Sequence, residues 1–220
     1  MKLFWSPISP PCRTVRLVLN ALKINVELQD VDIMGISRLP LELIRHNPQH
    51  TVPTLIDKGF TIWDSHAIAI YLVQKYSSDQ ALYPPEPEKR AIVNQRLHFD
   101  TGILYPTLYN FVVPILLRRQ KCINVSNAFG VKQAYNFVNA FLEQSQWLAG
   151  DQITLADFSC ITTLSTMDYL LPIDEKIHSN LYKYLKLWQD FPQYDELNLQ
   201  GVNKLGKIVQ EKLIQTQFQR

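Results

Sequence analysis

Glycine and cysteine are scarce in this chain, and no apolar run is long enough to cross a membrane. Its 220 residues include 7 glycines, none of which forms a Gly-x-Gly-x-x-Gly or Walker sequence, so nucleotide binding has no support. The 3 cysteines stand in unlike contexts, which favours reduced thiols and a cytoplasmic protein. The most apolar stretch, residues 103–117, contains two prolines and is too short to span a bilayer.

Charge and composition exclude further classes of partner. A hydrophobic content of 46% with 19% charged residues is typical of a folded soluble protein. The net charge of +2 is too small to indicate nucleic-acid binding, and the densest basic run, residues 118–121, is typical of a solvated helix end. His46 and His50 have the spacing of a metal pair, but Pro48 between them breaks the helical face. We therefore expect no metal, no nucleic acid and no membrane partner.

The spacing of apolar residues divides the chain into an α/β part and an all-helical part. Strands are predicted at 2–5, 25–32, 53–57 and 60–63, with a helix after each of the first two and after the last, and a hairpin turn at Lys58-Gly59 between the last two. This order predicts a thioredoxin-like domain over residues 1–77. A proline-rich linker over 78–88 and an all-α domain over 89–220 follow. Helices of the second domain are predicted at 88–119, 126–147, 154–170, 178–190 and 202–215.

The helix predicted at 154–170 has a distinctive start. Thr154 and Asp157 have the spacing of a capping box, in which each side chain bonds the backbone of the other. Phe158 and Ile161 follow at the spacing of core residues. We therefore expect this helix to run through the middle of the all-α domain.

Ser9 stands just before the first predicted helix, which covers 12–22. Prolines fit the first turn of a helix, and a helix N-terminus favours an anion. The spacing from Ser9 to Cys12 matches the Cys-x-x-Cys of thioredoxin-like redox proteins, with serine in the place of the nucleophile. A serine there cannot form a disulfide, but its hydroxyl can donate a hydrogen bond to the thiolate of a ligand.

Two further motifs predict a site for a small anionic peptide. The Val52–Pro53 bond can stay cis, which turns the Val52 N–H and C=O towards a ligand that pairs like an extra strand. Residues 63–68 run from a strand end into a helix, whose first N–H groups are unpaired and attract a carboxylate.

Together these motifs resemble the cytosolic glutathione transferases. The resemblance rests on Ser9-Pro10-Pro11-Cys12-Arg13, Asn47 to Pro53, Asp64 to Ile68 and Ala156 to Cys160, and it extends over residues 1 to about 215. The insect delta and epsilon classes are the most similar, and the run from Ala156 favours epsilon. The resemblance implies a cytoplasmic homodimer that conjugates glutathione, its co-substrate, to hydrophobic electrophiles in detoxification. Dehydrochlorination stays open as a further reaction.

The resemblance also implies roles for individual residues. Ser9 activates the thiol, the Val52 backbone pairs with the cysteinyl part of glutathione, and Asp64 and Ser65 hold its γ-glutamyl ammonium and carboxylate groups. The full glutathione set is Ser9, Arg38, His50, Thr51, Val52, Pro53, Asp64, Ser65 and His66. Within it, His50 faces the glycine carboxylate, His66 flanks the γ-glutamyl end, and Arg38 stands where these classes usually have a histidine.

The second substrate is expected between the two domains, where the all-α part supplies apolar walls. The residues predicted to line that site are Pro11, Met34, Tyr105, Tyr109, Val113, Leu116, Leu205 and Ile208. Pro106 and Pro114 fall inside the long predicted helix and bend its axis, and Tyr109 stands where relatives often have arginine. A reshaped electrophile pocket is therefore expected.

Two alternatives to a transferase remain open. One is a non-catalytic carrier of hydrophobic ligands on the same fold, although a pure carrier needs none of the three glutathione motifs. The other is a glutaredoxin-like thiol reductase that acts through Cys12, which stands three residues past the expected nucleophile and behind two prolines.

Overall fold

The structure is a computed structural model that describes residues 1–35, 37–117 and 122–217. The elements of the N-terminal part are β1 (Lys2–Trp5), α1 (Pro10–Ala21), β2 (Glu27–Asp30), α2 (Leu41–His46), β3 (Thr54–Asp57), β4 (Phe60–Trp63) and α3 (Ser65–Tyr76). The sheet has the order β2-β1-β3-β4, with β1 and β2 parallel and the other neighbours antiparallel. This is the arrangement of a thioredoxin-like domain, as predicted.

Two boundaries in this part differ from the prediction. β2 is shorter than the predicted 25–32, because it pairs with β1 only from Lys2–Glu27 to Trp5–Asp30. α1 begins at Pro10 and not at Cys12, because two prolines occupy its first turn. The N–H groups of a first turn have no partner within the helix, so the N–H that proline lacks is not missed there.

The C-terminal part is built of helices, and the predicted fold class is confirmed. The helices are α4 (Pro87–Phe99), α5 (Tyr105–Leu116), α6 (Val125–Phe141), α7 (Leu155–Leu170), α8 (Ser179–Leu187) and α9 (Gln200–Gln217). Residues 77–86 join α3 to α4, and the predicted linker over 78–88 overlaps that segment. α6 ends before the predicted 147, and α9 begins before the predicted 202.

The prediction of one helix over 88–119 is wrong. A π-helical turn, Asp100–Leu104, separates α4 from α5, and there the Tyr105 N–H donates to the Asp100 carbonyl, five residues back. Pro106 has no N–H to donate to the Gly102 carbonyl, so the regular ladder cannot continue through this point. Pro114 lies inside α5. The predicted helix end and the basic run at 118–121 lie outside the described residues.

α7 runs through the middle of the all-α part, with every residue from Leu155 to Met167 buried. The predicted capping box is present. The N–H and hydroxyl of Thr154 donate to Asp157 Oδ2 at 2.8 and 3.0 Å, and the Leu148 N–H donates to Asp157 Oδ1 at 2.8 Å. Burial raises the pKa of Asp157 to about 6, against the opposing effect of these hydrogen bonds.

Removal of the Thr154 hydroxyl is expected to destabilise α7. We expect Thr154→Ala to lower the free energy of unfolding by about 1 kcal/mol, the usual cost of a lost N-cap. Thr154→Ser is the matched control, because it keeps the hydroxyl and should keep most of the stability. Urea denaturation followed by tryptophan fluorescence measures both variants. Equal stability of the alanine and serine variants would contradict the assigned cap.

Candidate functional site

Ser9 lies at the N-terminus of α1 with its hydroxyl oriented by the backbone. Its Oγ accepts the Cys12 N–H at 3.5 Å, which is the first N–H that the helix offers after Pro10 and Pro11. The residue is 6% exposed, and it lines an apolar cavity described below. Since the Cys12 N–H occupies only an acceptor site of the oxygen, the hydroxyl proton remains available for a ligand.

A polar cleft of about 290 Å³ lies between the end of the sheet and the helical part. It is lined by Pro11, Gln49, Thr51, Val52, Pro53, Asp64, Ser65, His66, Asp100, Thr101 and Tyr105. The Val52–Pro53 bond is cis, as the sequence predicts. Within the part of the chain that the structure describes, neither the N–H nor the C=O of Val52 has a hydrogen-bond partner. This backbone is free to pair with an extended ligand.

The start of α3 is less open than the sequence predicts. Asp64 caps the helix, and its Oδ1 accepts the N–H groups of His66 and Ala67, both at 3.0 Å. Two of the first N–H groups are therefore taken inside the chain. The Ser65 N–H and hydroxyl have no partner among the described residues, so Ser65 is the group of this turn that can meet a carboxylate.

His66 joins the two domains at the edge of the polar cleft. Its Nε2 lies 3.0 Å from Asp100 Oδ2, and its Nδ1 lies 3.0 Å from the Thr101 hydroxyl. The Asp100 carboxylate is also bonded by the hydroxyls of Ser159 and Thr163 on α7. Asp100 and Thr101 were missed by the sequence analysis, because they fall inside what reads as one continuous helix. Their only signal is the polar run from Asp100 to Gly102 in an apolar stretch.

The apolar cavity has a volume of about 390 Å³ and lies between α1, α5, α9 and the loop after β2. The residues predicted for the electrophile that line it are Met34, Tyr105, Tyr109, Val113, Leu116 and Leu205. The lining also contains Ile8, Ser9, Pro10, Ile33, Leu108, Val112, Leu117 and Lys212, of which only Ser9 was assigned a functional role from the sequence. Pro11 lines the polar cleft instead, and Ile208 lines neither space but packs against the core.

Known proteins match the chain over almost its whole length. The family model "Glutathione S-transferase, N-terminal domain" matches residues 3–85, and "Glutathione S-transferase, C-terminal domain" matches residues 125–188. Glutathione S-transferase 1 of Manduca sexta is 43% identical over 97% of this chain and 99% of its own. The chain belongs to the glutathione S-transferase family. The predicted enzyme class is thereby confirmed.

Solved structures of insect glutathione transferases have the same fold. An epsilon-class enzyme from the housefly, Musca domestica, superposes with a TM-score of 0.92 at 38% identity, covering 96% of this chain and 97% of its own. A delta-class enzyme from Nilaparvata lugens has a TM-score of 0.88 at 34% identity, covering 96% of this chain and 99% of its own. Both classes are therefore similar to this transferase.

Tyr105 lines both the polar cleft and the apolar cavity of the transferase. Burial raises the pKa of its hydroxyl to about 12, so this group stays protonated at neutral pH. Ser9 lines the apolar cavity and Pro11, two residues later, lines the polar cleft. The two spaces therefore meet at the start of α1, beside Tyr105.

Cys12 does not have the properties of a redox cysteine. It is fully buried, and burial raises the pKa of its thiol to about 12 although a hydrogen bond with Ser9 opposes the rise. The thiolate is the nucleophilic form of cysteine, and a thiol with this pKa forms almost none of it near neutral pH. This environment gives the reductase alternative no support.

Arg38 and His50 are exposed and line neither the polar cleft nor the apolar cavity. Gln49, next to His50, lines the polar cleft in its place.

Within the described residues, no cluster of three or more His, Cys, Asp or Glu side chains suits a metal ion. Among the helices that the structure describes, none has the length and apolarity of a membrane span.

Proposed function

We propose that this transferase conjugates the thiolate of glutathione to hydrophobic electrophiles, as an enzyme of the epsilon type. The observation that carries the proposal is the position of the Ser9 hydroxyl. It stands at a helix N-terminus, in the wall of an apolar cavity and beside a polar cleft with unpaired backbone groups. The polar cleft therefore suits the peptide, and the apolar cavity suits the electrophile.

Glutathione is proposed to lie in the polar cleft as an extended peptide. The unpaired N–H and C=O of Val52 bond its cysteinyl residue, and Thr51 and Pro53 form the adjoining wall. The Ser65 hydroxyl and N–H bond the γ-glutamyl carboxylate. Asp64 uses Oδ1 for its helix cap, so Oδ2 remains for the α-ammonium group. His66 and Asp100 border that end of the ligand.

The glycine end of glutathione is proposed to extend beyond the polar cleft. His50 and Arg38 are exposed in the N-terminal domain, where the Arg38 guanidinium can pair with a carboxylate and an N–H of His50 can donate to one. Their exposure to solvent makes each contribution small, because exposed ion pairs are worth about 0–1 kcal/mol.

The chemistry depends on the protonation of a thiol that the substrate supplies. A free thiol has a pKa of about 8.5, and each unit by which it falls requires about 1.4 kcal/mol in favour of the thiolate. A hydroxyl bond to the charged sulfur is worth about 1.5–3 kcal/mol, and a helix N-terminus adds about 0.3–1 kcal/mol. Together they lower the pKa by roughly one to three units. The thiolate then attacks the electrophile directly, and the leaving group departs with the electron pair of the broken bond.

The apolar cavity selects the electrophile. Aromatic and aliphatic side chains dominate its lining, so small hydrophobic molecules are the proposed second substrates. Dehydrochlorination of chlorinated compounds is a second proposed reaction, in which the same thiolate removes a proton and chloride leaves.

A detoxifying role, a homodimeric state and a cytoplasmic location complete the proposal. The three cysteines are free, which is compatible with a reducing compartment.

The decisive test is the conversion of 1-chloro-2,4-dinitrobenzene by the purified protein in the presence of glutathione. We expect saturable formation of the conjugate, together with the ultraviolet absorption of a thiolate when glutathione alone is bound at pH 7. A protein that binds glutathione but forms no conjugate with this or other electrophiles would favour the carrier instead. Bound glutathione that stays a thiol at pH 7 would contradict the proposed mechanism.

Replacement of Cys12 by serine is expected to leave conjugation unchanged within about twofold in kcat/KM, because the thiol is buried and protonated and lines neither cavity. Reduction of hydroxyethyl disulfide by glutathione, measured on the same samples, serves as the reductase assay. A loss of both activities in Cys12→Ser, with the melting temperature retained, would instead favour the glutaredoxin-like alternative.

A further inference from the structure

Lys212 is the charged residue among those that line the apolar cavity. The other described residues of the lining are aliphatic and aromatic side chains, a proline, a methionine and a serine, and none of them carries a charge. The Lys212 ammonium group donates to the Leu116 carbonyl at 2.7 Å. That carbonyl belongs to the last turn of α5, where carbonyl groups have no partner within the helix. This bond therefore holds the ammonium group at the end of α5, in the wall of the cavity.

The length of α5 gives one measure of the distance between the reacting thiolate and this cation. Tyr105, at the start of α5, lies beside the start of α1, where the polar cleft and the apolar cavity meet. α5 has 12 residues, so its ends lie about 16 Å apart at a rise of about 1.5 Å per residue. The Lys212 ammonium group is bonded at the far end.

α9 gives a second and independent measure of the same distance. Gly201, near its start, packs so closely against the Pro7 carbonyl that a Cβ would overlap it, and Pro7 stands two residues before Ser9. Lys212 follows about three turns later on the same helix, which is again about 16 Å. Leu205 lines the cavity between them. Both helices therefore lead from the start of α1 to the Lys212 ammonium group.

An electrophile that fills the whole cavity extends over most of this distance. Separations of about 3 Å at the thiolate and at the ammonium group leave about 10 Å for the molecule itself. An extended chain covers about 1.2 Å per bond, so this length corresponds to about eight or nine bonds. A hydrocarbon tail of that length would end against the ammonium group without bonding it, whereas a carboxylate at that position would accept its hydrogen bond.

We propose that Lys212 selects long aliphatic electrophiles that have a reactive double bond at one end and a carboxylate at the other. This inference rests on the proposed transferase function and names the class of its second substrate. The simplest example is an α,β-unsaturated aldehyde with a carboxylate at the end of its chain. The thiolate forms a bond to the β-carbon, and the π-electron pair of the double bond moves to form an enolate. The enolate then takes a proton from water, so no group leaves.

The test compares acids with their methyl esters as second substrates for the full-length protein. The long pair is 12-oxododec-10-enoic acid and its ester, in which about nine bonds separate the carboxyl carbon from the reacting carbon. We expect kcat/KM for the long acid to exceed that for its ester by about tenfold, because the acid gains a charge-assisted hydrogen bond. The loss of the ultraviolet absorption of the unsaturated aldehyde, corrected for the reaction without enzyme, gives both rates.

A short pair tests the distance. The carboxylate of 6-oxohex-4-enoic acid lies too close to its reacting carbon to reach Lys212, so this acid should not be preferred over its methyl ester. The absence of a preference in the long pair would refute the proposal, and so would an equal preference in the long and short pairs.

Substitutions of Lys212 separate its charge from its role at the end of α5. Lys212→Gln should reduce the preference for the long acid to less than about twofold, Lys212→Glu should reverse it in favour of the ester, and Lys212→Arg should retain it. Loss of the helix-end bond alone would change the rates of acid and ester equally and leave their ratio constant. Lys207→Gln, an exposed change on α9 outside the lining, is the matched control. An unchanged ratio in Lys212→Gln would overturn the proposal.

Conversion of 1-chloro-2,4-dinitrobenzene by the wild type and by Lys207→Gln distinguishes this inference from the proposed function. This electrophile has no carboxylate, so its conversion depends on the thiolate and not on recognition of an anion. If both proteins convert it but the wild type does not prefer the long acid, the inference about Lys212 is wrong and the transferase function stands. If neither converts it or either unsaturated aldehyde, the transferase function is wrong, and this inference is wrong with it.

Discussion

Replacement of Ser9 by alanine is expected to lower kcat/KM for conjugation by about 10- to 150-fold. The lost interaction is a hydroxyl hydrogen bond to a thiolate, worth about 1.5–3 kcal/mol, and each 1.4 kcal/mol is a factor of ten. Because thiolate formation becomes limiting, the rate of Ser9→Ala should rise with pH towards the pKa of the free thiol. The rate of the wild-type enzyme should already have levelled off at that pH. Steady-state kinetics from pH 6 to about 9 measures both effects.

The same change removes the N-cap of α1, so its effect on folding needs a control. Asn124 caps α6 in the same manner, with its Oδ1 accepting the Ser126 N–H at 2.8 Å, and it lines neither cavity. Asn124→Ala should lose a similar stability of about 1 kcal/mol while keeping full activity. If the two variants lost activity equally, the loss would belong to helix capping and not to the thiolate.

The N-terminal half of the site was readable from sequence because its signals are local. The Pro10–Pro11 pair and the preceding serine define the start of α1 without help from the rest of the chain. Asp64 likewise caps a helix, and its partners stand only two and three residues further along the chain. Where a short segment contains both the functional group and the elements that hold it, the pattern and the structure agree.

The contacts between the domains had no such signal. His66 meets Asp100 across 34 residues, and Arg13 meets Asn198 across 185 residues. Arg13 belonged to the motif on which the resemblance rests, yet its burial between the domains follows only from how α1 packs against α7 and the segment before α9. The π-helical turn that presents Asp100 was also missed. An apolar run with prolines predicts a bent helix, and it does not predict a change in the hydrogen-bond pattern of that helix.

Replacement of Gly201 by alanine is expected to have the largest effect on stability. A Cβ at this second residue of α9 would lie 2.1 Å from the Pro7 carbonyl oxygen and 2.7 Å from Arg13 Cδ. The carbonyl is backbone and cannot rotate away. We expect a loss of about 3 kcal/mol or more in the free energy of unfolding, measured by urea denaturation, since such overlap exceeds ordinary overpacking.

Gly130→Ala is the matched control, because this helical glycine in α6 has only Thr107 Cγ2 near its missing Cβ, at 3.6 Å. It should be neutral or stabilise the protein by up to about 1 kcal/mol, the difference in helix propensity. Full stability of Gly201→Ala would mean that α9 and Pro7 lie farther apart than they do here. If Gly201→Ala folds, its activity should fall together with its stability, because Pro7 stands two residues before Ser9. Relief of the overlap at Pro7 therefore displaces the hydroxyl that the reaction needs.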